Sequence, residues 1–155
     1  MKVQKSILDY LNRILACELS AIDQYFIHAR MYDDWGYQKL FERSDHEVTD
    51  EQEHAHLIIS RILYLGGVPD IQTRIPVKIG KTVPEMLGSD LKIETHVTGL
   101  LKEAIEHCES KLDYGTSQIL IKLLQDTEED HTLWLEQQLN HIKTLGLDKY
   151  LMTNL

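Results

Sequence analysis

The chain has 155 residues, with 25 acidic against 16 basic side chains, a formal net charge of −9 and a sequence pI near 5.3. That length suits one compact domain over residues 1–155 with a real core, and the acidic balance argues against nucleic acid as a partner. Cys17 and Cys108 are far apart and fit neither a metal-ligand spacing nor a disulfide framework, so reduced cytosolic thiols are expected. No charged-then-apolar leader is visible and no apolar run approaches the ~18 residues of a membrane span. The expectation is a soluble cytoplasmic protein with no membrane partner.

In chain order, residues from about 4 to 35 read as a first helix, with Ile7, Leu11, Ile14, Leu15, Leu19 and Ile22 at helical spacing. Gly36 interrupts, and a second helix runs from about 37 to 65, ended by Gly66, Gly67 and Pro69. The link 66–82 has 17 residues, too long for a simple turn between antiparallel helices. The second helix is about 43 Å long at 1.5 Å per residue. An extended link of that size reaches at most about 56–60 Å, so it can run back along the whole bundle and start a third helix parallel to the second. Thr82-Val83-Pro84-Glu85 opens that third helix, Thr82 and Glu85 forming a capping box with Pro84 in the first turn. It ends near Leu112. A fourth helix extends to about Leu145, stopped by Gly146, and a short fifth piece spans 148–155. No strand pattern is present. The expected fold is all-α: two antiparallel helical hairpins joined by one long crossover.

Two Glu-x-x-His pairs, Glu51/His54 and Glu128/His131, each trail a lone glutamate by nearly the same distance: 33 residues from Glu18 to Glu51, and 34 from Glu94 to Glu128. Turns at Asp34-Trp35-Gly36 and at 110–113 bisect both intervals, so folding each hairpin there brings each lone glutamate level with its Glu-x-x-His. Roughly 0.7 such pairs are expected by chance in this composition, and a third, Glu53/His56, also occurs. Helix faces separate them. Glu51 and His54 share a stripe with Phe41, Ala55, Ile58 and Ile62; Glu128 and His131 share theirs with Ile121, Leu124, Leu135 and Ile142. Glu18 sits among Leu11, Ile14, Ile22 and Tyr25, and Glu94 among Leu87, Leu91, Val97 and Leu101. Glu53 and His56 line up instead with Glu42, His46, Thr49 and Ser60. Any one of these glutamates alone reads most readily as a surface acid. Four buried together would cost several kcal/mol each without compensation, and a pair of divalent cations is the simplest compensation.

The stretch from Asp23 to Gly36, the Glu51-x-x-His54 run and the run from Asp130 and His131 through Trp134 to Glu136 resemble the bacterioferritin branch of the ferritin superfamily. The similarity extends from Tyr10 to Gly146-Leu147 and Tyr150-Leu151. It implies a ferritin-like four-helix bundle with a long crossover between the second and third helices and a short C-terminal fifth helix. It implies two iron ions per subunit, bridged by Glu51 and Glu128, with Glu18 and His54 completing one position and Glu94 and His131 the other. The implied activity is a ferroxidase that oxidises Fe(II) with dioxygen or peroxide and stores ferric mineral in a 24-subunit shell. Tyr25 would stand beside the iron pair and supply an electron; Asp90 would orient a ligating imidazole; Trp134 would pack. His46 and Asp50 would form an iron site on the shell's inner surface.

One departure is informative. Gln52 stands where the family carries a methionine that ligates haem on a two-fold axis, and Met31 is not at the usual ligand position. Haem is therefore not expected in a homopolymer of this chain. The alternatives are a subunit of a mixed shell with a haem-binding bacterioferritin subunit, and a di-iron peroxidase; no Cys-x-x-Cys segment supports the rubrerythrin type. An electron-donating ferredoxin-like partner for iron release is the further partner the resemblance implies.

Overall fold

A computed structural model describes residues 4–155. Helix α1 spans Lys5–Trp35, α2 Gln38–Tyr64 and α3 Val83–Ser110. The fourth rod is built of α4, Tyr114–Asp126, a π-helical turn, Thr127–Thr132, and α5, Leu133–Leu145; α6, Leu147–Met152, closes the described chain. This is the expected ferritin-like bundle, with the long link between α2 and α3 and the short last helix in place.

The chain's punctuation sets the ends. Gly36, at φ 81°, takes the left-handed conformation that closes α1, and its N–H reaches back to the Asp33 carbonyl at 3.1 Å. Thr82 Oγ1 accepts from the Glu85 N–H at 3.3 Å and caps α3. Between α3 and α4, Leu112 adopts φ 60° and Asp113 caps the next helix, accepting from the Thr116 N–H at 3.0 Å.

The crossover runs along α1 on a ladder of polar side chains. The Asp70 N–H donates to Asn12 Oδ1 at 2.9 Å, the Ile75 N–H to Ser20 Oγ at 2.9 Å and the Gly80 N–H to His28 Nε2 at 3.1 Å. Asn12, Ser20 and His28 recur every eight residues along α1, so the link advances along that helix as it is held. Each satisfies a backbone donor that a strand-free link would otherwise leave unpaired. The link therefore advances in the direction of α1, and α3 starts parallel to α2.

Two apolar cores hold the ends of the bundle. One contains Leu11, Ile14, Leu15, Ile58, Ile62, Leu101, Leu120 and Leu123; the other contains Tyr32, Leu40, Met86, Leu87, Leu135 and Tyr150. Each large aliphatic side chain buried there contributes about 1.5–3 kcal/mol, which offsets the cost of the polar layer between them. Among the described residues no helix is long and apolar enough to cross a membrane.

Candidate metal centre

Four rods meet at that polar layer. α1 brings Glu18, α2 brings Glu51 and His54, α3 brings Glu94 and the π-helical turn brings His131, all at most 3% exposed. His54 Nδ1 lies 3.2 Å from Glu18 Oε2 and 3.5 Å from Glu51 Oε2. His131 Nδ1 lies 2.9 Å from Glu51 Oε1 and 3.2 Å from Glu94 Oε1. Glu51 thus stands between the two imidazoles, whose rings stack at 5.7 Å between centroids. Three sets of ligand atoms result among the described residues: Glu18, Glu51 and His54; Glu51, Glu94 and His131; and, sharing His131, Glu47, Asp50 and Asp130.

The electrostatics of this layer are set by carboxylates and imidazoles crowded together in a buried space. Burial, reinforced by the neighbouring Glu51 charge, holds the Glu18 carboxyl well above the usual carboxylate range. Burial opposes charge on His54, yet its contacts with Glu18 and Glu51 prevail and push the imidazole up to about 11. For His131 burial is likewise outweighed, by Glu47, Glu51 and Glu94, and the imidazolium is favoured far above its ordinary range. Glu51 Oε2, 3.5 Å from His54 Nδ1, is buried with no hydrogen-bond partner, as are both Glu47 oxygens. Hard carboxylate oxygens beside neutral-capable imidazoles form a donor set suited to first-row divalent ions such as iron.

Tyr25, also buried, donates from its hydroxyl to Glu94 Oε1 at 2.7 Å. Burial, then the Glu94 and Asp90 charges, raise the Tyr25 hydroxyl well above its ordinary value, so it remains a donor.

The other sequence candidates divide. Glu128 does not share the inward stripe of His131: its side chain is 44% exposed and 3.9 Å from Lys102 Nζ. The cause is the π-helical turn. An i to i+3 spacing keeps two side chains on one face only at α-helical pitch; at the wider π pitch Thr127 and His131, four apart, turn inward and Glu128 faces out. Asp90 orients no ligating imidazole. It accepts from Gln24 Nε2 at 2.7 Å and from His28 Nδ1 at 2.9 Å, tying α3 to the residue that holds the crossover at Gly80. His46 is exposed, with Nε2 3.4 Å from Asp50 Oδ2. Gln52 is exposed on α2, and Met31 is packed against the apolar core around Tyr32. Glu53 and His56 are both exposed, as their polar stripe implies.

Two side chains the sequence reading passed over also face the centre. Glu47, 3% exposed, places Oε2 2.8 Å from His131 Nε2 and Oε1 2.6 Å from Arg43 Nε. Asp126 Oδ2 lies 3.3 Å from His54 Nε2. Glu47 precedes Glu51 by one helical turn, a signal present in the sequence; Asp126 has no comparable one.

Helix order, crossover and a buried carboxylate–imidazole layer together define a helical bundle of ferritin-like architecture. The family model described as Ferritin-like domain matches residues 8–145, and the chain belongs to that family. It is 50% identical over 155 residues to a bacterial ferritin of Synechocystis sp., covering 100% of this chain and 99% of that protein. Against a bacterial ferritin of Paramagnetospirillum magnetotacticum the identity is 52% over 154 residues, 99% and 94% of the two chains. A bacterioferritin of Brucella melitensis stands at 38% over 150 residues, 97% and 92% of the two. Identity is thus higher to these proteins named bacterial ferritin than to that bacterioferritin.

Proposed function

We propose that this chain is an iron-storage ferroxidase that binds two Fe(II) ions, its substrate, among Glu18, Glu51, His54, Glu94 and His131. The observation that carries the reading is Glu51: one buried carboxylate whose two oxygens face two separate imidazoles, one oxygen having no hydrogen-bond donor. A pair of Fe(II) ions held there supplies two electrons to an oxidant such as dioxygen or peroxide. Glu18 and Glu94 close the two ends, and both imidazoles bind only after giving up their Nδ1 protons. Tyr25, hydrogen-bonded to Glu94, is placed to pass an electron or a proton to the same layer. Glu128 is kept as the sixth ligand that the family resemblance implies; the π-helical turn faces it outward beside Lys102, a surface pair worth about 0–1 kcal/mol, so ligation would require that turn to rearrange.

The product is ferric mineral, which we propose is stored inside a 24-subunit cytoplasmic shell, with His46 and Asp50 on its inner face as an accessory iron site. Exposed apolar side chains on α1 and the crossover, among them Phe26, Val68 and Ile71, support assembly.

Stopped-flow absorbance after adding two Fe(II) per subunit tests the centre. Glu18→Ala and His131→Ala are expected to abolish fast oxidation while the helical circular dichroism is retained. Wild-type-like oxidation in both variants would sink the assignment. Glu128→Ala is expected to slow oxidation as well; an unchanged rate would leave the centre to the five buried residues.

A further inference from the structure

One rung of the ladder that holds the crossover can titrate. Asp70 and Ile75 give their N–H groups to Asn12 Oδ1 and Ser20 Oγ, which stay neutral, whereas the Gly80 N–H goes to His28 Nε2 at 3.1 Å. An imidazole nitrogen accepts only when it carries no proton, so the His28 proton sits on Nδ1 and is donated to Asp90 Oδ1 at 2.9 Å. Gln24 belongs to the same joint: its Nε2 donates to Asp90 Oδ1 at 2.7 Å and its Oε1 accepts the Lys78 N–H at 3.4 Å. His28, Asp90 and Gln24 are each at most 1% exposed. Gly80 is buried too and lies hard against α3, where a Cβ would collide with the Met86 backbone.

We propose that His28 is an acid-sensitive latch: proton uptake at Nε2 frees the Gly80 end of the crossover while α1 and α3 stay joined. A proton on Nε2 sets one N–H against another and removes the Gly80 acceptor. The Nδ1–H bond to Asp90 survives that proton and gains opposite charge, which keeps the imidazolium in place. Burial raises the Asp90 carboxyl, and the bonds from His28 and Gln24 pull it back down. Glu47 on α2 also bears on Asp90, and Tyr25 and Tyr32 on α1 are held as neutral phenols. Lys78, Lys81 and Glu85 flank Gly80 but are exposed, Glu85 Oε2 accepting the Lys81 N–H at 2.8 Å. The latched state binds one proton fewer than the released state. Latching is therefore complete at high pH and is lost as pH falls through the ordinary imidazole range, about 6.5. The segment it frees walls an open cavity of about 440 Å³, where Val77 and Lys78 share the lining with Gln24, Lys92 and Ile93. Ile93 packs with Tyr25, the donor to Glu94, so release opens the bundle to water on its Tyr25 side.

Hydrogen–deuterium exchange of the full-length protein tests the latch, read by mass spectrometry from about pH 5 to 8 and corrected for the intrinsic pH dependence of amide exchange. That range lies above the usual carboxylate titration, so Glu85 keeps its charge. Protection over residues 77–82 is expected to fall by up to about 10-fold per pH unit as acid is added, while residues 70–75, held by Asn12 and Ser20, change little. His28→Gln offers Gly80 an acceptor and Asp90 a donor that do not titrate, and should flatten the pH dependence. His28→Ala should leave 77–82 weakly protected at every pH. Protection of 77–82 that does not vary with pH in the wild-type protein would overturn the latch. A pH dependence kept by His28→Gln would overturn it as well, assigning the titration to another group. Loss of protection over 70–75 in step with 77–82 would also count against it, because the whole link would then be detaching.

Discussion

At the scale of single residues, the protonated state of the layer determines how stability responds to pH. Without metal, the raised Glu18 carboxyl holds a proton in the folded chain above 4.5, where the unfolded chain has released it. His54 does the same from 6.5 up to about 11. In both windows the folded state binds more protons, so the stability these groups contribute is present at low pH and is lost as pH rises. The melting temperature of chelated protein is therefore expected to fall as pH is raised from about 5 to 9. Metal binding needs the same ligands deprotonated, so the stabilisation produced by added Co(II) should grow over that range. Scanning calorimetry with and without Co(II) checks both slopes; a chelated protein that gains stability with pH would contradict the burial of Glu18. Glu18→Gln, which removes the titrating group and keeps its shape, should flatten the metal-free slope.

At the scale of elements, much was legible because helix chemistry is local. Gly36, Gly146 and the Thr82/Glu85 box are short-range signals, and each marks an end within a residue or two of the observed one. The crossover's path followed from its length alone. What holds it did not: Asn12, Ser20 and His28 look like ordinary polar interruptions of an apolar stripe, and only the folded link shows what they bond. The π-helical turn was hidden for a sharper reason. Stripe arguments assume 3.6 residues per turn, and one widened turn between Asp126 and Leu133 sends Glu128 out, so the same arithmetic that placed Glu18, Glu51 and Glu94 correctly at the layer fails there. Ser20 gives this scale its test. Ser20→Ala leaves the half-buried Ile75 N–H without its acceptor and is expected to cost about 0.5–1.5 kcal/mol. Hydrogen exchange at Ile75 should accelerate while the α2 amides keep their protection; unchanged exchange there would mean that the ladder does not hold the link.

At the scale of the whole molecule, surface chemistry bears on assembly and on haem together. A shell buries subunit faces, and Phe26, Val68, Ile71, Val77 and Ile79 offer exposed apolar area along α1 and the crossover. Twenty-four chains of 18.0 kDa make a particle of roughly 430 kDa by gel filtration; a species of one or two chains would remove the shell from the proposal. Gln52 lies on the exposed face of α2, at the position where the family resemblance places the haem ligand of a two-fold pair in the proposed shell. A glutamine amide prefers its hydrogen bonds and donates weakly to haem iron, whereas a thioether ligates it with little desolvation cost. Met31 gives no substitute, since its side chain is packed against the core around Tyr32 and Leu40. A homopolymer of this chain is thus expected to take up haem poorly, and Gln52→Met to gain six-coordinate binding at one haem per two subunits. Haemin titration followed by reduced visible spectra reads the difference. Sharp bis-thioether bands in the unmodified protein would show that another ligand reaches the axis, and would overturn the argument from Gln52.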